Sequence, residues 1–471
     1  MKSSVRRFLF LRSAALGVLL AAGLFLTGCK GIPTQGEKAA RQDLRAVTAS
    51  YNPQGQRPVL PTLGTKAALG DYLRFAMLNQ PSVAAAYFDW AASVERITIE
   101  RSLPDPRLSF ESDIADIVMT VMPGLMQEFP GPGKLKAAAN VATAESRTKY
   151  FAFETAVLQT AFSLKRAYYQ LLFLDENIRI NRQTLDLLAD LEKIARTQNE
   201  VGKVTLQDVY RAQIEQDQLT TEIANLDDSR RPLMAQLKGA LGLTHDQPDP
   251  PPPTRFESTP LELKGDDLLA TAFARNPRLK QMEADVRMAE AAIALARKSK
   301  VPDFSLGLMA DAKAAPTMFR PQAGMTLPIW RDKIAAQVAQ AQAGKRAAEA
   351  RLTSEQIIVT VDFAMKSYDY REITRNLALL QDKLIPKARQ SLEIARAGYL
   401  SGQIDFFNQL DAERTLLNFQ LQEIDARTRR EIVLADLSLL IAGIAPEGAP
   451  VLPPAASTAV SPTNLSTSSS H

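Results

Sequence analysis

One cysteine and two histidines are all that the 471 residues offer of the side chains that most often hold metals or form catalytic nucleophile pairs. With Cys29 alone, an intrachain disulfide is excluded in any compartment. The histidines, His245 and His471, fall in loop-like and terminal sequence, so neither a histidine metal cluster nor a histidine-based triad can be assembled. The stretch "GPGKL" at 131–135 imitates a phosphate loop, but it lacks the Ser or Thr after its lysine, and Pro132 cannot donate a backbone N–H. No enzyme is expected. An excess of charge is missing too: residues 1–28 hold four of the 56 basic residues and no acidic one, which leaves 52 against 52. A balanced chain gives no electrostatic ground for binding nucleic acid.

What is present starts at the N-terminus. Lys2, Arg6, Arg7 and Arg12 precede an apolar run from Ala14 to Leu26, and the small residues Thr27 and Gly28 precede Cys29. That order reads as an export signal over residues 1–28. Its apolar run is short for a helix crossing about 30 Å of hydrocarbon. Leu26, Thr27, Gly28 and Cys29 match the bacterial lipobox, so Cys29 is expected to be lipidated and to become the mature N-terminus. Lys30 replaces the aspartate that commonly retains such lipoproteins in the inner membrane, which favours the outer membrane. The covalent lipid is the only non-protein group expected; no cofactor is.

The rest of the chain runs through one plan twice. Pro81 with Pro277 and Pro106 with Pro302 share an offset of 196; Pro130 and Pro328 differ by 198. "ARTQNEVGKVTLQDVYRA" at 195–212 lies over "ARAGYLSGQIDFFNQLDA" at 395–412, and Tyr168 over Tyr368, at an offset of 200. An ordered, slowly growing offset is what a duplicated fold with small insertions produces. Each half opens with a helix, about 81–103 and 277–300, introduced by an Asn and Pro pair suited to helix starts.

The period then becomes two. Leu108, Phe110, Ser112 and Ile114 alternate with polar residues, as do Phe304, Leu306, Leu308 and Ala310, and a return strand is clearest at Ala323, Met325, Leu327 and Ile329. Afterwards the pattern is helical from Lys134 to Val201, a reach of about 100 Å at 1.5 Å per residue, and again from Asp332 to Leu400, where Pro386 should kink or interrupt the helix. The expected divisions are a signal at 1–28, a lipidated segment at 29–63, a first repeat at 64–245, a proline-rich linker at 246–261, a second repeat at 262–444 and a disordered tail at 445–471. Within the repeats, strands are expected at about 106–129 and 302–329, and long hairpins at about 134–243 and 332–443. Strands of about ten residues with one apolar face match outer-membrane barrels, although soluble hairpins packed on helices would alternate likewise. One chain cannot close a barrel with four such strands, so copies must pool them.

The lipobox, the duplicated order of helix, strand pair and long helix pair, and the turns "NEVGKVTLQDV" and "GYLSGQIDFFNQLDA" resemble the TolC-like outer-membrane efflux proteins from about Leu69 to Gly443. The resemblance implies a mainly helical fold with a membrane β-barrel. In it, a homotrimer pools four strands per chain into a twelve-strand barrel continued by an α-helical barrel. It also implies a passive channel in a tripartite system. Its partners would be a periplasmic membrane-fusion adaptor, an inner-membrane transporter of the resistance-nodulation-division type, and outer-membrane lipid.

Gly202 and Gly402 are the turn residues of the two hairpin tips, where positive φ is needed. In the family an aspartate ring narrows the tunnel near the second tip; its two acidic positions fall on Asn408 and Asp411, so one acid has become an amide. Tyr399 matches an aromatic position that latches the closed state, and Asp208 is the first-half tip position equivalent to Asn408. The plain reading of each is a solvated helix-end residue, as strong as the functional one for Asp208; Asp411 is the stronger candidate for the gate. "QEFPGPGKL" at 127–135 is similar to a segment in relatives paired with heavy-metal exporters, and Met119, Met122 and Met126 before it are either soft-ion ligands or apolar filler in a strand. Metal efflux leads over drugs, with type I protein secretion or a non-conducting coiled-coil tether as the other readings.

Overall fold

The structure, a computed structural model, describes residues 32–115, 118–258, 265–311 and 318–453. The expected signal, Cys29 and residues 454–471 of the expected tail lie outside them. Helix α1 (Gln35–Tyr51) leads through a 3-10 turn at Pro53–Gly55 to α2 (Leu69–Asn79) and α3 (Pro81–Arg101). Then come β1 (Arg107–Ala115), β2 (Val118–Phe129), α4 (Lys134–Glu200) and α5 (Leu206–Ala240). The order recurs as α6 (Gly265–Arg275), α7 (Pro277–Lys298), β3 (Phe304–Asp311), β4 (Met318–Met325) and α8 (Arg331–Leu379). A π-helical turn at Leu380–Leu384 joins α8 to α9 (Ile385–Ser401), and α10 (Phe406–Ala435) ends in another at Asp436–Ile441. No helix among the described residues is long and apolar enough to cross a membrane.

One compact unit comprises the described residues of 32–41, Val94–Thr143 and Ala291–Ala339. It holds a single antiparallel sheet in the order β1-β2-β3-β4. The register aligns Leu108, Leu125, Leu308 and Pro321 in one row across all four strands, and Arg107, Met126, Gly307 and Gln322 in a neighbouring row on the other face. The apolar row is bare, with Leu108, Leu125 and Leu308 each half exposed or more. The segment at 131–134 proves to be a strand-to-helix turn: Gly131 N donates to Asp303 Oδ1 at 2.7 Å and Lys134 Nζ to the same oxygen at 2.7 Å. A lysine engaged in this way ties β2 and α4 to the start of β3.

The other unit comprises the described residues of Gln42–Ser93, Ala144–Glu290 and 340–453. Its aromatic core stacks Trp90 on Phe153 at 5.9 Å, with Tyr87, Tyr150 and Tyr51 at their edges. Each repeat is closed by an asparagine. Asn79 Nδ2 donates to the carbonyls of Leu241 and Gly242, and Asn276 Nδ2 to those of Leu440 and Ile441. The Asn of each Asn and Pro pair therefore also caps the far end of its own hairpin.

Several expectations are corrected. The return strand ends at Met325 rather than running on to Ile329. Thr326 N still donates across to Asp303 O, but Asp303 N donates to the Thr326 hydroxyl, Ile329 N closes on Leu327 O, and Pro328 has no N–H to donate, so the ladder goes no further. The chain from Ala445 to Pro453, expected in the disordered tail, is placed against the helices, with Leu452 N donating to Tyr150 Oη at 3.0 Å. The α-helix is interrupted before Pro386, as expected: α8 ends at Leu379, the wide turn at Leu380–Leu384 follows with Ile385 N reaching Leu380 O, and the proline sits in the first turn of α9. The proline-rich linker has neither helix nor strand at 249–258, yet it is pinned: Tyr72, Tyr168 and Tyr169 donate their hydroxyls to the carbonyls of Pro251, Arg255 and Glu257.

Candidate functional site at the hairpin tips

At both tips the long helix stops on a glycine in the left-handed region, φ +72° at Gly202 and +75° at Gly402. Lys203 N reaches back to Gln198 O and Gln403 N to Gly398 O, both at 2.8 Å, which satisfies the last carbonyls. A side chain at either glycine would cost roughly 1–2 kcal/mol in that backbone region. The return helices start from Thr205 and Asp405. Asp208 Oδ2 accepts from Thr205 N and Thr205 Oγ1, while Asp405 Oδ1 accepts from Asn408 N at 2.9 Å. Both Asp208 and Asn408 therefore sit in the first turn of a capped helix, where an acid suits the helix dipole.

Tyr399 is buried at 2% exposure, edge-on to Phe406 at 5.8 Å, in an apolar cluster that joins Leu188, Leu191 and Val209 of the first hairpin to Leu410 of the second. Its hydroxyl is buried and has no hydrogen-bond partner among the described residues. Burial pushes that phenol up to about 12, and the charge of Asp208 adds to the shift. The structure thus brings Tyr399 and Asp208 of different hairpins into one neighbourhood. Asp411 and Asn408, three residues apart on α10, are exposed and lie outside that cluster. Arg414 forks onto Glu215 of α5, a pair that fastens hairpin to hairpin.

Two residues of this region escaped the sequence reading. Gln409 and Glu413 are buried on the inner face of α10, and Glu413 lines a cleft of about 270 Å3 with Glu215, Leu219, Glu222, Leu410 and Arg414. The signal was present as a polar pair inside the stripe Phe406, Leu410, Leu417, which reads as ordinary helical amphipathicity. Burial raises the Glu413 carboxyl above its ordinary value, although Arg396 opposes the shift. A raised folded-state value stabilises the packed tips below the unfolded pKa and loses that contribution as pH rises through the folded one. Glu413→Gln should therefore flatten the pH dependence of tip stability and strengthen the tips at neutral pH. Amide exchange of α10 measured on both sides of neutrality checks this; a variant as pH-sensitive as the parent would contradict it.

The methionines lie on the sheet. Met122 and Met126 stand opposite Glu111 and Arg107 in the register, which places them on the polar face, whereas Met119 stands opposite Ile114; its side chain is not among those described.

A duplicated chain of helix, membrane-type strand pair and long helical hairpin, with matched tip turns, defines the class. The family model described as Outer membrane efflux protein matches residues 73–243 and 268–443, one segment in each repeat, and the chain belongs to that family of outer-membrane channel proteins. It is similar to the cobalt-zinc-cadmium resistance protein CzcC of Cupriavidus metallidurans, 23% identical over 270 residues, 54% of this chain and 61% of that one. The chain thus spans about three fifths of that relative. The probable outer membrane lipoprotein SilC of Salmonella typhimurium is 24% identical over 336 residues, 66% of this chain and 69% of the relative. Among solved structures, CusC superposes with a TM-score of 0.69 at 16% identity, covering 82% of this chain and 98% of that one. VceC of Vibrio cholerae gives 0.65 at 18% identity, covering 79% and 95%. These structures share the fold.

Proposed function

We propose that three copies of this chain form a passive duct through the outer membrane, a twelve-strand barrel continued by a helical one and anchored by lipid on Cys29. The observation that carries this is the open sheet. A four-stranded sheet with a bare apolar face leaves β1 and β4 as edges. In lipid every backbone group must be paired, so the edges have to meet those of other copies, and about eight strands are the least that close. The second repeat supports the same reading: Ile357, Val361, Met365 and Tyr368 on α8 are exposed in the single chain. Purified protein in a planar bilayer should pass discrete ionic currents; a protein that inserts but never conducts would leave only the tether reading.

Metal ions are the proposed cargo, since one relative is named for cobalt, zinc and cadmium resistance. An inner-membrane transporter of the resistance-nodulation-division type would deliver them through a periplasmic adaptor. Deleting the gene should sensitise cells to metal salts more than to dyes, detergents or antibiotics, and the intact gene should restore growth.

The tips are the proposed gate. Asp411, exposed on α10, would form a ring of three carboxylates about the threefold axis, with Asn408 one turn away, while Tyr399 beside Asp208 holds the hairpins closed. Like charges near one axis favour a bound cation. Asp411→Ala is expected to weaken block by divalent cations about tenfold while leaving the protein folded. Single-channel recording with and without divalent cations measures it, and unaltered block would remove Asp411 from the gate.

A further inference from the structure

We infer that Met122, Met126 and Met309 form a thioether site for a soft monovalent cation, Cu(I) or Ag(I), on the polar face of the sheet. The register makes the cluster. Gly124 pairs with Met309 and Met126 with Gly307, so on this face Met309 lies beside Gly124, with Met122 and Met126 two residues to either side along β2. Diagonal neighbours in an antiparallel pair are about 7–8 Å apart at Cα, within reach of long side chains. The central position is a glycine, and over it lie the Ser109 hydroxyl and the Met309 methyl carbon, 2.9 and 3.6 Å from the point a Cβ on Gly124 would occupy.

Burial argues for contact among these side chains. Met122 is 8% and Met309 6% exposed, and Met126 is half-buried, on a mostly polar face that also carries Arg107, Glu111, Glu128, Asp311, Arg320 and the exposed Met318. Met318, opposite Asp311 on the same face, and Met325 on the apolar face are each about half exposed, so neither shares the burial of Met122 and Met309. Glu111 of β1 stands opposite Met122, and the carboxylate of Asp311 on β3 is paired with Arg320. Among the described residues no group of three His, Cys, Asp or Glu could hold a metal, so this sheet offers borderline divalent ions nothing comparable. Neutral thioethers are soft donors and select Cu(I)-like ions over Zn(II) or Co(II).

The site's use in export rests on the duct reading above, where the polar face lines the lumen. Within that reading it adds a soft monovalent metal to the proposed metal cargo, passing three thioether sulfurs per chain.

The test is titration of the full-length protein in detergent with silver nitrate in chloride-free buffer, followed calorimetrically and by X-ray absorption at the silver edge. Wild-type protein should bind about one Ag(I) per chain with sulfur neighbours and should not take up Zn(II) there. The triple variant Met122→Leu, Met126→Leu, Met309→Leu, close in volume, should bind at least about tenfold more weakly, and Met325→Leu should bind like wild type. If the triple variant fails to fold, Met309→Leu alone, the central ligand, should give the same loss. Unchanged affinity in these variants, or a wild-type protein without sulfur-bound silver, overturns the site. Bilayer currents on the same wild-type preparation separate the two readings: conduction without silver binding overturns the site alone, and silver binding without conduction overturns the duct alone.

Discussion

Arg101→Ala is expected to destabilise the protein by about 3 kcal/mol, the lower part of the range for breaking a buried ion pair. Glu37 is 1% exposed on the first turn of α1, and Arg101 at the end of α3 donates to it through Nε at 2.5 Å and Nη2 at 3.3 Å. Arg41 Nε and Thr98 Oγ1 supply further bonds at 3.1 and 3.0 Å, so the carboxylate would keep part of its shell. That residual shell is why the lower end of the range applies. Replacing both partners, Glu37→Met with Arg101→Met, should recover most of the loss, because a matched apolar pair avoids the desolvation that the ion pair only offsets. Denaturant unfolding of the two single variants and the double variant closes the cycle. Additive losses would show that the ion pair does not couple α1 to α3.

The same carboxyl sets a pH direction. Burial alone would push Glu37 up, but hydrogen bonds from Arg101, Arg41 and Thr98 outweigh it and hold the group below its ordinary value. A depressed folded-state value gives stability above the unfolded pKa that is lost as pH falls through the folded one. Glu413 at the tips has the opposite sign. Acid therefore loosens α1 from α3 while it tightens the hairpin tips.

How much of this was legible in the residues follows from the range of each signal. Period-two alternation at 108–114 and 304–310 and the near-unbroken helical run from Lys134 are local patterns, and strands and long helices appeared at those places. The tip glycines were readable because a reversal has few backbone solutions. What stayed hidden depends on partners far away in the chain. The sequence of α1 is polar, and its first turn is held by an ion cluster whose members lie about 60 residues on at Thr98 and Arg101. The end of β4 was misplaced because Leu327 and Ile329 continue the alternation while Pro328 denies the ladder its bond. The tail was judged by composition, which carries no trace of the Tyr150 hydroxyl that receives Leu452 N. The pairing of Met309 with Gly124 is likewise a fact of register between strands almost two hundred residues apart.

Asn276→Ala should be the most damaging change to the closure of the second repeat, costing about 3–5 kcal/mol from lost caps and stranded polar groups. Asn276 is 1% exposed and fully used: Oδ1 accepts from Arg278 N at 2.9 Å and Leu279 N at 3.2 Å, while Nδ2 donates to Leu440 O and Ile441 O, both at 3.0 Å. Alanine would leave two helix-start donors and two helix-end acceptors without that partner, in a place where water has little access. The end it caps is already unusual, a π-helical turn at Asp436–Ile441 followed by Gly443 at φ +65°, where an added Cβ would meet Arg275 O at 2.8 Å. No backbone adjustment is free there to take over the lost bonds. Asn79, its counterpart, makes two such bonds and is half-buried, and Gln80 Nε2 covers the neighbouring carbonyl of Gly239 at 2.9 Å. Asn79→Ala should accordingly cost nearer 1 kcal/mol. Asn276→Asp separates the two functions of the side chain, since a carboxylate keeps the helix-start acceptor and loses the donor to the carbonyls. Its loss should fall between those of the two alanine variants, with amide protection reduced at Ala442 and Ile444 but kept at Arg278 and Leu279. Hydrogen exchange resolved to those amides, beside the thermal midpoint, decides the matter. Equal losses for Asn276→Ala and Asn79→Ala would mean that the duplicated asparagines act only as local helix starts and that the closure of each repeat lies elsewhere.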